Sequence, residues 1–260
     1  MCHNVPMPTL RERVRAELVS EIKATAIDQL ESDNADLSLR AIARRMGMAS
    51  SAIYRYFPSR DDLLTALILD GYGALADAVT ETEAHVPRND LAGRLRACAN
   101  AIRNWARDHR AEYALLYGTP IPGFRAPQDT VVPVTRLSGV LIAILADGVN
   151  AGVFGDTERP EDVRLTDDLS ALVEGFAHPE IPAGLIARGL TAWMGIFGAV
   201  SFELWGHLHG VTNDYDALFE HHLTLLNQLV GLQPTPSARS GARTDAEPND
   251  AQKPANRPSL

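Results

Sequence analysis

The chain has 260 residues, 45% of them hydrophobic, and a formal net charge of −9, enough for a large core in one or two domains but acidic for a partner of polyanions. The charge is uneven. Residues 1–60 carry nine Lys and Arg against seven Asp and Glu, so the negative excess lies in the remainder and any DNA contact is confined to the N-terminal end. Cys2 and Cys98 stand far apart in no metal-ligand spacing; they form no disulfide framework, and with no signal peptide they point to the cytoplasm. The most apolar stretch, Gly189 to Phe202, is too short for a membrane span.

Residues 1–8 read as a loose arm. Thr9 and Glu12 then form a capping box, opening a helix to about Leu30 whose packing face is Val14, Leu18, Ile22 and Ala26. Ser38 caps a short helix in which Leu39, Ile42, Ala43 and Met46 share one apolar face. Gly47 supplies the positive φ of a tight turn. A second helix is expected over about Ala49 to Tyr56, burying Ile53 and Phe57 and leaving Ser50, Ser51, Ala52, Tyr54 and Tyr56 for other surfaces. Small and hydroxylated residues at the front of such a helix suit close approach to a major groove. Ser59, with Asp62 three residues on, starts a longer helix that Leu63, Leu64, Leu67, Ile68, Tyr72 and Leu75 carry to about Glu83.

The break VPRND at 86–90 precedes a helix expected from Leu91 to about Tyr117, with Leu95, Ile102, Trp105, Tyr113 and Leu116 as core. A Gly- and Pro-rich loop from Gly118 to Asp129 follows. Further helices are expected over about Thr130 to Ala151, Leu165 to Phe176, Pro182 to His207 and Asp214 to Leu232. The last of these has two apolar stripes, Leu218, Leu225 and Leu229 on one side and Phe219, Leu223, Leu226 and Val230 on the other. A helix that broadly apolar is sandwiched between its own core and a partner. The preceding helix sets Gly189, Ala192, Gly195, Gly198 and Ala199 among Leu190, Trp193, Met194, Phe197 and Val200. The segment 233–260 is dense in Pro, Ala, Ser and charge without an aromatic residue, and reads as disordered. The fold class is all-α.

The frame Leu39, Ile42-Ala43, Gly47, Ile53-Tyr54, Tyr56-Phe57, Arg60 and Leu63-Leu64 resembles the TetR family of transcriptional regulators. Two positions depart from the family's pattern: Ser51 where Gly or Pro is frequent, and Arg60 where Lys is usual. YGTPIPG at 117–123 and ELWGHLHG at 203–210 are similar to a subgroup with a WHG-type C-terminal domain. The resemblance implies a helix-turn-helix head over 9–58 joined to a helical ligand-binding and dimerisation body over 59–232. It implies a repressor that binds a palindromic double-stranded DNA operator as a homodimer and is released by a small molecule, with no cofactor. Ser50, Ser51, Ala52 and Tyr54 fall where the family meets bases, and Arg40, Tyr56 and Arg60 where it meets phosphates.

Trp105, Tyr113, Tyr117, Phe124, Trp193 and Phe197 are candidates for an effector pocket, with Arg125, Arg136 or Glu174 as polar handle. Leu190, Met194, Phe197, Leu218, Leu225 and Leu229 are candidates for the dimer interface. Arg44 and Arg45 read as solvated charges. Gly71-x-Gly73-x-x-Ala76 matches the letters of a dinucleotide fingerprint but lacks the preceding strand such a site requires. His207, His209, His221 and His222 lack the spacing that brings two metal ligands to one helical face. No catalytic motif is present, so no enzymatic activity is expected. The alternative is a helical binding protein or enzyme whose head is not used on DNA.

Overall fold

The computed structural model describes residues 9–32, 37–124, 131–154 and 163–233; the terminal arm, the tail beyond Gln233 and Arg125 lie outside the described residues. Thr9 and Glu12 close the expected box: the Thr9 N–H donates to Glu12 Oε2 at 2.7 Å and the Glu12 N–H to Thr9 Oγ1 at 3.3 Å. Helix α1 (Leu10–Ser32) follows. Its buried face is narrower than the four-residue stepping suggests. Ile22, Ala26 and Gln29 are buried, but Val14 is 45% exposed, because the first turns of α1 stand clear of the head core.

Ser38 Oγ accepts the Ala41 N–H to open α2 (Leu39–Arg45). Gly47 turns the chain at φ +67°; a Cβ there would meet no other atom within 4 Å, so conformation and not space selects glycine. The next segment differs from expectation. It is not an α-helix from Ala49 to Tyr56 but a turn leading into one 3-10 turn, Ile53–Arg55. Ala52 bonds back to Ala49 and Arg55 to Ala52, three residues each time. Ser50 and Ser51 favour turns over helix interiors.

Helix α3 (Arg60–Ala84) is capped by Ser59, whose hydroxyl accepts the Asp62 N–H at 3.1 Å. Its first half places Leu63, Leu64 and Leu67 in the head core with Ile22, Ile42, Ile53 and Phe57. Its second half places Leu75, Ala76 and Val79 in the body core. Gly71 lies buried within this helix against Leu116, which a Cβ would meet at 3.4 Å, an ordinary contact distance.

The single helix expected from Leu91 to Tyr117 is two, α4 (Leu91–Asp108) and α5 (Arg110–Tyr117). His109 breaks the run at φ −128° and ψ 56°, its ring stacked on Trp105 at 4.9 Å and its Nδ1 3.0 Å from the Trp105 carbonyl. The break re-aims α5, so that Leu115 and the following Ile121 and Phe124 reach the head core. Helices α6 (Val131–Asn150), α7 (Val163–Gly175), α8 (Ala183–Leu204) and α9 (Tyr215–Val230) complete the body. The described residues hold helices and no strand. By length and composition α3 and α8 are apolar enough to cross a membrane, which Gly189 to Phe202 alone did not indicate; both contribute buried residues to the cores of this fold.

Two buried arginines tie the body together. Arg94 on α4 is fully buried; its Nε donates to Glu83 near the end of α3, and its Nη1 to Asp147 on α6 at 2.6 Å. Arg103 forks onto Glu203 of α8 at 2.7 and 3.0 Å, meets Asp216 of α9 at 2.7 Å and lies over the Phe219 ring. Burial, reinforced by nearby Glu83, pushes the Cys98 thiol up to about 12, which makes it core filling and not a thiolate. Removing one partner of a buried ion pair strands the other charge. Arg94→Ala is therefore expected to lower unfolding stability by about 3–5 kcal/mol in urea titrations at fixed protein concentration. Arg88→Ala, whose side chain is 68% exposed beside the same carboxylates, is expected to cost less than about 1 kcal/mol.

Candidate nucleic-acid interface

The head core fixes which side chains face outward. Ile53 is fully buried and Phe57 is 6% exposed, so these two pin the segment after Gly47 from below. Ser50, Ser51 and Arg55 are then exposed, Ala52 and Tyr56 half-buried, and Tyr54 is 42% exposed. Arg40 lies exposed in the first turn of α2 and makes no ion pair among the described residues. Arg60 is half-buried at the start of α3, where its Nε donates to the Leu37 carbonyl at 3.2 Å. That bond fixes the guanidinium between the two ends of the helix-turn-helix unit. Of the residues singled out in the head, Arg40, Ser50, Ser51 and Tyr54 are thus exposed, while Ala52, Tyr56 and Arg60 are half-buried.

One neighbour has no signature in the local sequence. Arg15, in the second turn of α1, donates from Nη2 to the Arg55 carbonyl at 3.4 Å and lies over the Tyr56 ring at 5.2 Å. No local pattern links positions 40 residues apart, so only the packing of α1 reveals it. Of the two arginines read as solvated, Arg44 is exposed and Arg45 pairs with Asp28 of α1 at 2.8 Å.

In the body, four of the pocket candidates come together and the rest do not. Tyr117 meets Phe197 at 4.4 Å and Tyr113 at 5.1 Å, Phe197 meets Trp193 at 5.5 Å, and Tyr72 of α3 closes on Tyr117 at 5.9 Å. The Tyr113 hydroxyl donates to the Phe197 carbonyl or shares a proton with Ser201, each at 3.1 Å, and burial pushes its pKa up to about 12. Burial likewise raises Tyr117. Trp105 packs instead on His109, and Phe124 on the head core. Arg136 is exposed and pairs with Asp77 at 2.6 Å, and Glu174 is exposed, so neither is drawn into the aromatic cluster.

A cavity of about 680 Å³ opens elsewhere, at the junction of head and body. Its wall joins Leu30 of α1, Ala111 and Leu115 of α5, the loop Gly118 to Pro122, and Trp205 with His207 beyond α8. The two segments that carried the C-terminal resemblance therefore meet at one place. Gly206, at φ +76°, ends α8 three residues earlier than periodicity suggests and lets Trp205 and His207 reach this wall.

The apolar stripes of α9 separate. Phe219, Leu223, Leu226 and Val230 are buried, while Leu218 is half-buried and Leu225 and Leu229 are 49% and 40% exposed. On α8 Met194 and Phe202 are exposed, whereas Leu190 and Phe197 pack on the body core; Phe197 is committed to Tyr117. The outward face is therefore Met194 and Phe202 beside Leu218, Leu225 and Leu229. Phe202 and Leu218 of this face line a cleft of about 340 Å³ together with Gly195 and Gly198.

Known proteins carry the same architecture. Residues 24–67 match the model of bacterial regulatory proteins of the tetR family, and residues 95–226 the model of the tetracyclin repressor-like C-terminal domain. The HTH-type transcriptional regulator Rv1816 of Mycobacterium tuberculosis is 36% identical over 197 residues, which is 75% of this chain and 82% of that protein. The crystal structure of the regulatory protein SCO4313 superposes with a TM-score of 0.67 at 36% identity, covering 84% of this chain and 98% of the other. A TetR-family regulator from Marinobacter aquaeolei VT8 shares the fold, with a TM-score of 0.57 at 15% identity, covering 85% and 98%. With a helix-turn-helix head, a helical body behind it and these relatives over most of its length, the chain belongs to the TetR family of DNA-binding transcriptional regulators.

Proposed function

We propose that this regulator is a repressor that binds a two-fold symmetric operator as a homodimer and leaves it when a small molecule occupies the body. One observation carries the reading: α3 is a single helix shared by the head core and the body core. A shift at its body end is thereby delivered to the head. Ser50, Ser51, Ala52 and Tyr54 are assigned to base edges, and Arg40, Tyr56 and Arg60 to phosphates. The exposure of Arg40, Ser50, Ser51 and Tyr54 supports these roles, and the bond from Arg60 to Leu37 supports a cation held in fixed register.

The exposed ridges of α8 and α9 support dimerisation through Met194, Phe202, Leu218, Leu225 and Leu229. Their glycine-lined cleft suits the insertion of side chains from a symmetric copy. The effector is assigned to the junction cavity, whose volume is that of a small-molecule site. Because Leu30 of the head forms part of its wall, a ligand there binds one head position better than another and shifts the population toward it.

Two experiments test this. In anisotropy titrations Arg40→Ala is expected to weaken all duplexes alike and reduce the salt slope by about 1, whereas Tyr54→Ala is expected to lose about 1–3 kcal/mol on the selected operator only; affinities unchanged in both variants would overturn these assignments. In analytical ultracentrifugation Leu225→Glu, which places a charge on the proposed interface, is expected to turn dimer into monomer and weaken operator binding by about tenfold or more.

A further inference from the structure

Helix α1 opens with arginines at 11, 13 and 15, and cations at a helix N-terminus oppose the helix dipole. The nearest carboxylate does not offset them fully, since Glu12 is engaged by the Thr9 N–H and hydroxyl. Neither Arg11 nor Arg13 has an ion pair among the described residues, and Glu17, the next acid along, is exposed without one. No packing compensates either: Leu10 is 70% and Val14 45% exposed, so this end of α1 projects beyond the head core. The end is nonetheless not randomly placed. Arg15 lies on the recognition segment, bonded to the Arg55 carbonyl and covering Tyr56. Arg11, four residues earlier, shares its face and continues it by about 6 Å along the axis. Arg13 points to the opposite side of the helix.

We infer that Arg11 and Arg15 form a phosphate clamp on duplex DNA, extending the interface past the recognition segment along one face of α1. The inference rests on the DNA-binding reading and adds to it a sequence-independent contact. Arg15 also orders Tyr56 and Arg55, so Arg11 is the cleaner probe and Arg13 its internal control.

The full-length protein is titrated in anisotropy against a mixed-sequence duplex and against the best duplex selected by the wild type, over a series of salt concentrations. Arg11→Ala is expected to reduce the slope of log affinity against log salt by about 0.9 on both duplexes, leaving the ratio between them unchanged. Arg11→Lys is expected to restore the slope, and Arg13→Ala to leave it at the wild-type value. Both side chains are exposed and oppose the helix dipole, so thermal midpoints should be no lower than the wild type's. An unchanged slope in Arg11→Ala, an equal loss in Arg13→Ala, or a loss confined to the selected duplex overturns the clamp. A wild type that binds neither duplex overturns the DNA-binding reading itself, independently of Arg11.

Discussion

The rigidity of α3 is the constraint on which the rest depends. Twenty-five residues in one unbroken helix make a rod of about 38 Å, and its two halves are buried in different hydrophobic clusters. A helix so embedded couples the two cores through one backbone. Its ends are fixed by different physics. Ser59 and Asp62 cap the head end, and Glu83 at the body end is held by buried Arg94, which also grips Asp147 on α6.

Buried arginines in the body trade a large desolvation cost for directional attachment. Arg94 joins α3, α4 and α6, while Arg103 joins α4, α8 and α9. Leucine contacts tolerate sliding, whereas a forked guanidinium does not. The body is therefore a set of helices indexed to one another at two points. The junction with the head, by contrast, holds an open cavity between α1, α5 and the loops 118–122 and 205–207. This cavity is where the proposed effector would sit between head and body.

The surface proposed to face DNA combines short hydroxylated side chains with cations. Buried Ile53 and Phe57 anchor the segment after Gly47, so Ser50 and Ser51 are presented from a turn and Tyr54 from the 3-10 turn that follows it. Two of the acids near this surface are matched by cations, Asp28 by Arg45 and Asp70 by Lys23. The cations nearest the recognition segment remain available.

Short-range chemistry was legible in the sequence. The Thr9 box, the Ser38 and Ser59 caps, the Gly47 turn, the all-α class and the alternation of two stripes on α9 follow from side-chain type and spacing within a few residues. Such signals are local, so no tertiary information is needed to read them. What periodicity cannot register is a change of direction that preserves the pattern. Trp105 and Tyr113 continue one apolar run, yet His109 splits it into α4 and α5. Likewise Ser50 and Ser51 tighten an expected helix into a 3-10 turn. Only tertiary structure decided that Leu225 faces out while Leu226 faces in, that Phe197 belongs to Tyr117 and not to the outer ridge, and that Arg15 lies on Tyr56. Each outcome depends on the closeness of residues distant in sequence, and that distance is set by how the helices pack.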